Sequence, residues 1–185
     1  MEHETFQGKT YDKITFAGHS FMECRFVDCH FLHCQFSNGA FLNCHFQNCN
    51  ITLPNFEKAR LQEVFFEGGK IVGANFHLVD KKLFSLSFKD TLLQSCNFSD
   101  LVMKKGEFGG SRLRECDFKG TQLAEGNFRG CDLEGTLFHQ CDLSGADFRE
   151  AVNYTIDPAA NKIKKGKFSL PEAFSLLKGF DITLE

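Results

Sequence analysis

Between residues 24 and 49 the chain carries Cys24, Cys29, His30, His33, Cys34, Cys44, His45 and Cys49, a density of thiols and imidazoles that raises the question of a metal centre. Zinc ligands usually come in pairs two to four residues apart on a bent loop, most often as CxxC, and no CxxC occurs here. The thiols are instead five residues, or a multiple of five, apart. That spacing argues against zinc and casts Cys as a small, slightly apolar filler, so no cofactor is expected. No motif pairs a Ser or Cys nucleophile with a base, and no glycine-rich phosphate loop follows a strand. Asp and Glu are numerous, but no spacing selects an acid/base pair. The residues point away from an enzyme.

A period of five governs more than the cysteines. From Phe6, every fifth residue through Phe76 is large and apolar, including Tyr11, Phe26, Phe46, Ile51, Leu61 and Ile71. The register slips by two across 77–82, then resumes from Leu83 through Phe88, Phe98, Met103, Phe118, Leu133 and on to Phe148, making 29 such residues in all. A helix would rotate successive members by about 140°, and a straight strand would send them to alternate faces. All of them enter one core only if the chain turns a corner every five residues, as a β-solenoid. The position two residues earlier should also point inward, and all nine cysteines sit there, sharing it with Gly, Ala and Thr. His19 falls in that inward phase, whereas His30, His33 and His45 fall in outward ones. Gly110, Gly120, Gly130, Gly135 and Gly145 stand two residues after the large position, where a tight turn can use positive φ.

Stretches such as Cys131-Asp132-Leu133-Glu134-Gly135 and Ala146-Asp147-Phe148-Arg149-Glu150 resemble the A(D/N)LXX unit of the pentapeptide-repeat family, over about residues 4–150. The resemblance implies an all-β fold, a right-handed quadrilateral β-helix with four pentads per coil. Residues 1–150 then form about seven coils, and Cys24 and Cys44, Cys29 and Cys49, and Cys96 and Cys116 become neighbours on adjacent coils. A reducing cytosol favours free thiols there.

Residues 151–185 depart from the period. Ser169, Leu170, Pro171 and Glu172 read as a capping box opening a C-terminal capping α-helix, with Leu170, Ala173, Phe174 and Leu177 as its apolar face and Gly179 as its stop. Phe180, Ile182 and Leu184 alternate as a short strand. The expected role is to cap the last coil. This tail also resembles the quinolone-resistance (Qnr-type) and microcin-immunity branches of the family, which implies dimerisation through Leu170, Phe174, Leu177, Phe180 and Ile182.

Those branches protect DNA gyrase or topoisomerase IV, so the resemblance implies a DNA-mimicking partner of a type II topoisomerase. Duplex DNA over the length of seven coils carries about 20 charges, far more than this chain's net -3. The charge is uneven, however. Residues 115–150 hold eight carboxylates, Glu115, Asp117, Glu125, Asp132, Glu134, Asp142, Asp147 and Glu150, against three cations, and these are the candidate partner-binding surface. Direct nucleic-acid binding is not expected. The alternative is a general protein-interaction scaffold, suggested by Met22, Leu32, Leu42, Phe65, Val72 and Leu137 in outward phases. With no basic-then-apolar leader at Met1–Thr10 and no long apolar run, the expected location is cytoplasmic.

Overall fold

The computed structural model describes residues 1–180, and among these the chain winds into a parallel quadrilateral β-helix. Four ladders define its faces. Face A begins with the strands Thr5–Gln7, Arg25–Val27, His45–Gln47, Val64–Glu67 and Leu86–Lys89; face B holds Thr10–Asp12, His30–Leu32, Asn50–Thr52, Lys70–Val72, Leu92–Gln94 and Arg112–Arg114. Face C is built mostly from single bridges such as Asn97↔Asp117, and face D starts with Ser20–Met22, Ala40–Leu42 and Arg60–Gln62. Partners lie 20 residues apart, as Phe26↔Phe46 and Phe41↔Leu61 do, so each coil contains four pentads. No helix among the described residues is long and apolar enough to cross a membrane.

Two aromatic columns run up the interior. On face A the rings of Phe6, Phe26, Phe46, Phe66, Phe88, Phe108, Phe128, Phe148 and Phe168 stack with centroids 4.5 to 5.4 Å apart. These eight steps correspond to eight coils and, at about 4.8 Å per paired strand, to a rod about 38 Å long. On face C, Phe16, Phe36, Phe56, Phe76, Phe98, Phe118 and Phe138 stack likewise. Between the columns the rings meet edge to face, as Phe98 does with Phe108 at 6.1 Å and 89°. Both are preferred aromatic geometries, each adding about 0.5–1.5 kcal/mol beyond simple burial.

The inward position two residues before each large one has a second use. Cys44, Cys49, Cys131 and Cys141 each point Sγ at the carbonyl of the large residue 23 positions back, Phe21, Phe26, Phe108 and Phe118. Thr121 and Thr136 donate equivalently to Phe98 and Leu113. Cysteine is thus a buried donor as well as a filler. All nine are buried, and desolvation pushes the thiols of Cys49 and Cys131 up to about 12. At Gly69 (φ +65) no other residue fits this inward site, because a Cβ would collide with the Cys49 carbonyl.

The structure corrects the sequence reading in four places. Phe6, Tyr11 and Phe16 are only half-buried and His19 is exposed, because the first coil has no neighbour below it. The register slip lies at 81–85 rather than 77–82: Arg60↔Asp80 are still 20 apart, but Val64↔Leu86 are 22 apart. In this bulge Leu83 turns out, 64% exposed, and Phe84 packs against the core in its stead. The solenoid also continues past Phe148 for one coil: Tyr154 and Ile156 are buried, Thr155–Ile156 pairs with Leu137–Phe138, and Lys167–Phe168 pairs with Asp147–Phe148.

The fourth correction concerns the tail. Its helix, Glu172–Phe180, is 3-10 rather than α, and it runs through Gly179 and includes Phe180, which the sequence assigned to a strand. No capping box forms, since Ser169 Oγ accepts from the Glu150 N–H and Glu172 Oε1 from the Asn153 N–H. Ile182 and Leu184 lie outside the described residues.

Phe98, fully buried between Phe76 and Phe118, tests this packing. Phe98→Ala should cost about 3–5 kcal/mol in urea unfolding, because hydrogen-bonded coils cannot collapse into the void. An unchanged midpoint would contradict it.

Candidate partner-binding surface

Within each pentad the outward residues flank the large one, and the face they occupy follows from the pentad's place in the 20-residue coil. The eight carboxylates consequently separate. Glu115, Asp132 and Glu134 come together on face B, Asp117 is on face C, Glu125 and Asp142 on face D, and Asp147 and Glu150 on face A, as the ladders Arg112↔Asp132, Asp117↔Leu137, Gln122↔Asp142 and Asn127↔Asp147 show. A window that is acidic along the chain is not an acidic patch in space.

Most of these groups also have cationic neighbours. Arg114 reaches both Asp132 (3.0 Å) and Glu134 (3.2 Å). Arg129 binds Glu150 at 2.6 Å, and Lys105 lies 3.8 Å from Glu125. Burial pushes the Asp132 carboxyl up, but hydrogen bonds from Asn153 and Arg114 outweigh it and hold it below its usual range. Asp147 receives the guanidinium of Arg149 through Nε (2.9 Å) and Nη2 (2.6 Å), which holds its carboxyl down to about 2. Glu115 and Asp117 have no ion-pair partner within 4 Å among the described residues; Glu115 accepts from Ser95 Oγ at 3.1 Å.

At the C-terminal end, Leu176 packs on the core and the helix contacts strand Thr155–Ile156. Ala173 and Leu177 are half-buried, whereas Leu170 (72%), Phe174 (51%) and Phe180 (54%) are exposed. The helix therefore covers the last coil through Leu176 and leaves three large apolar side chains in solvent. On the sides of the rod, Met22 and Leu42 pair in one ladder. Met22, Leu32, Leu42, Phe65 and Val72 are half-buried, and Leu137 is exposed. The His45 ring packs on Phe65 at 5.0 Å, and desolvation, helped by the Arg25 charge, lowers its pKa. Among the described residues no three His, Cys, Asp or Glu side chains converge as a metal site would require.

One concentration of charge escaped the sequence reading. Lys81, Lys82, Lys104, Lys105, Lys162, Lys164 and Lys165 are all exposed on face D, although they come from three separate stretches of chain. Only the 20-residue coil brings them together. A count taken every 20 residues could have found them.

Residues 19–84 and 40–118 match the pentapeptide repeat region family, and residues 116–152 match pentapeptide repeats (8 copies). The chain belongs to the pentapeptide-repeat family. Among solved structures it is similar to a trypsin-treated form of QnrB1, a plasmid-mediated fluoroquinolone resistance protein, with a TM-score of 0.86 at 16% identity, covering 100% of this chain and 98% of that one. A second trypsin-treated QnrB1 variant aligns with a TM-score of 0.54 at 20% identity, over 100% and 99% of the two chains. No curated protein matches significantly.

Two outcomes follow from the ion pairs and the cap. The depressed Asp147 carboxyl stabilises the fold above its usual titration range, and this contribution is lost as pH falls toward about 2. Asp147→Asn should therefore lower stability by up to about 1 kcal/mol at neutral pH, with the two proteins converging near pH 2 in acid-unfolding curves. A chain ending at Phe168 should lose several degrees in melting temperature and aggregate, since the core under Leu176 is uncovered. Equal stability would remove the capping role.

Proposed function

We propose that this protein is a non-catalytic interaction solenoid that binds a type II topoisomerase, gyrase or topoisomerase IV, and protects it from quinolone-type poisons. The observation that carries the reading is the end-to-end likeness to QnrB1, which includes all the coils rather than a repeat segment. A rod about eight coils long, with flat faces and a column of buried rings inside, is suited to binding a large surface. In this reading Glu115, Asp132 and Glu134 on face B, with Asp117 across the next corner, are the carboxylates placed to meet a basic DNA-binding saddle. Asp147, Glu150, Glu125 and Asp142 would act from the neighbouring faces. Two copies joined through Leu170, Phe174 and Phe180 would withdraw those side chains from water and double the rod's length. The site of action in this reading is the cytoplasm.

A second reading, an interaction scaffold for another partner, is favoured by the dispersal of the carboxylates over four faces and their pairing with Arg114, Arg129 and Arg149. Gyrase supercoiling with and without a fluoroquinolone separates the two. The first reading expects the protein to restore supercoiling in the presence of the drug, with an effect that weakens as salt rises, because exposed charges are screened over about 10 Å at 0.1 M. No effect at low salt would leave the scaffold reading alone.

A further inference from the structure

Charge on the upper half of the rod is sorted by face. From Asp80 to Phe168, face A carries four cations against four carboxylates, face B two against three and face C one against three. Face D carries seven lysines against Asp80, Glu125 and Asp142. This is opposite in sign to the whole chain, whose net charge is -3. The lysines form two clusters on the ladder Val102↔Gln122↔Asp142↔Lys162: Lys81, Lys82, Lys104 and Lys105 at one end, and Lys162, Lys164 and Lys165 at the other. The two carboxylates between them are partly neutralised, Glu125 by Lys105 at 3.8 Å and Asp142 by the Ser144 N–H at 3.1 Å in the field of Lys104 and Lys162.

The lower cluster is not purely cationic. The 81–85 bulge projects Leu83, 64% exposed at φ +58, and the adjacent coil presents Val102, 56% exposed. Beside Leu83 a hollow of about 270 Å³ is lined by Arg60, Asp80 and Lys82. Leu83, held out at a corner beside Arg60, Asp80 and Lys82, offers an apolar contact that an apolar side chain fills better than a row of phosphates does. The cations lean the same way: the seven of the two clusters are all lysine, and Arg60 shares its hollow with the carboxylate of Asp80, so the surface holds few of the planar forks that clamp phosphate oxygens in pairs. Carboxylates flanking a hydrophobic side chain fit both features.

We propose that face D, from the 81–85 bulge to Lys165, is a docking surface for an acidic protein segment that seats an apolar side chain against Leu83 and Val102. The clusters span four coils, about 19 Å at the strand spacing, which is the length of roughly 13 residues of helix. This surface shares only Glu125 and Asp142 with the carboxylates of the proposed function, and its test does not depend on whether the partner is a topoisomerase.

The test uses the full chain and fluorescence anisotropy with a labelled helical peptide of about 14 residues bearing Glu at i, i+4 spacing around Leu, at about 20 mM and about 200 mM salt, straddling the range over which screening sets in. Binding is expected at low salt, weakening at least about tenfold at high salt. The double variant Lys104→Glu/Lys105→Glu, and separately Leu83→Asn, which keeps a residue tolerant of positive φ, should each weaken it about tenfold or more. Lys119→Glu on face C should leave it unchanged, and thermal melts of all variants check that the rod is folded. Absence of peptide binding at low salt, or equal binding by the folded face D variants, overturns the proposal. So does tighter binding to a 14-base-pair duplex DNA than to the peptide, which would make face D a phosphate-binding surface.

Discussion

Each coil must return its inward rings to positions directly over those of the coil below, so any residues beyond the usual 20 have to be taken up outside the stacked pentads. The strand spacing of about 4.8 Å is close to the separation at which offset aromatic rings stack, so backbone hydrogen bonding and the Phe columns demand the same registration. Any insertion that moved Phe88 off Phe66 would break one ring contact above and one below, together with edge-to-face contacts to the other column. The chain therefore places irregularities at corners. Two extra residues are absorbed at 81–85, after which the stack resumes at 5.3 Å. Near the end, Phe138↔Ile156 is two residues short and Asp142↔Lys162 is again 20, the difference being made up in 157–161.

Corners bear a cost for this regularity. Most turn residues have φ near +50° to +70° whether or not they are glycine, Glu115, Glu125 and Lys165 among them, a conformation that disfavours an L side chain by about 1–2 kcal/mol. The N–H at such a corner is nonetheless held by the next coil, as Glu115 donates to the Glu134 carbonyl at 3.1 Å and Glu125 to that of Ser144 at 2.8 Å. The corner is fixed by its neighbours rather than by its own preference.

Because packing consumes the inward positions and hydrogen bonding the backbone, the outward side chains are free to vary without disturbing the fold. Their meaning is set in columns of 20. Arg114 meets Asp132 and Glu134 because they follow one coil later, and Lys105 meets Glu125 for the same reason. Interaction surfaces on this rod are thus vertical stripes assembled from several coils, and composition along the chain describes them poorly.

The sequence alone determined the inside. A large apolar residue every five positions admits a single arrangement that buries all of them, and the confinement of nine cysteines to one phase marks that phase as inward; both hold from Phe21 to Phe148, except at Leu83. What it could not determine were features whose energy comes from another coil. Leu83 or Phe84 could equally have filled the core, and only the pairing of Val64 with Leu86 decides between them. Tyr154 and Ile156 fall outside the five-residue period, and Phe168 keeps it only across Asn153 and Pro158, which break it; yet the exposed top of Phe148 and Phe138 supplies a surface that draws all three into an eighth coil. The capping-box residues Ser169 and Glu172 bind Glu150 and Asn153 instead of each other, since the last coil offers unpaired N–H groups nearby. The lysines of face D become one surface only when 20 residues make one turn, because charge leaves no mark at the five-residue period and shows only in a count taken at the coil length.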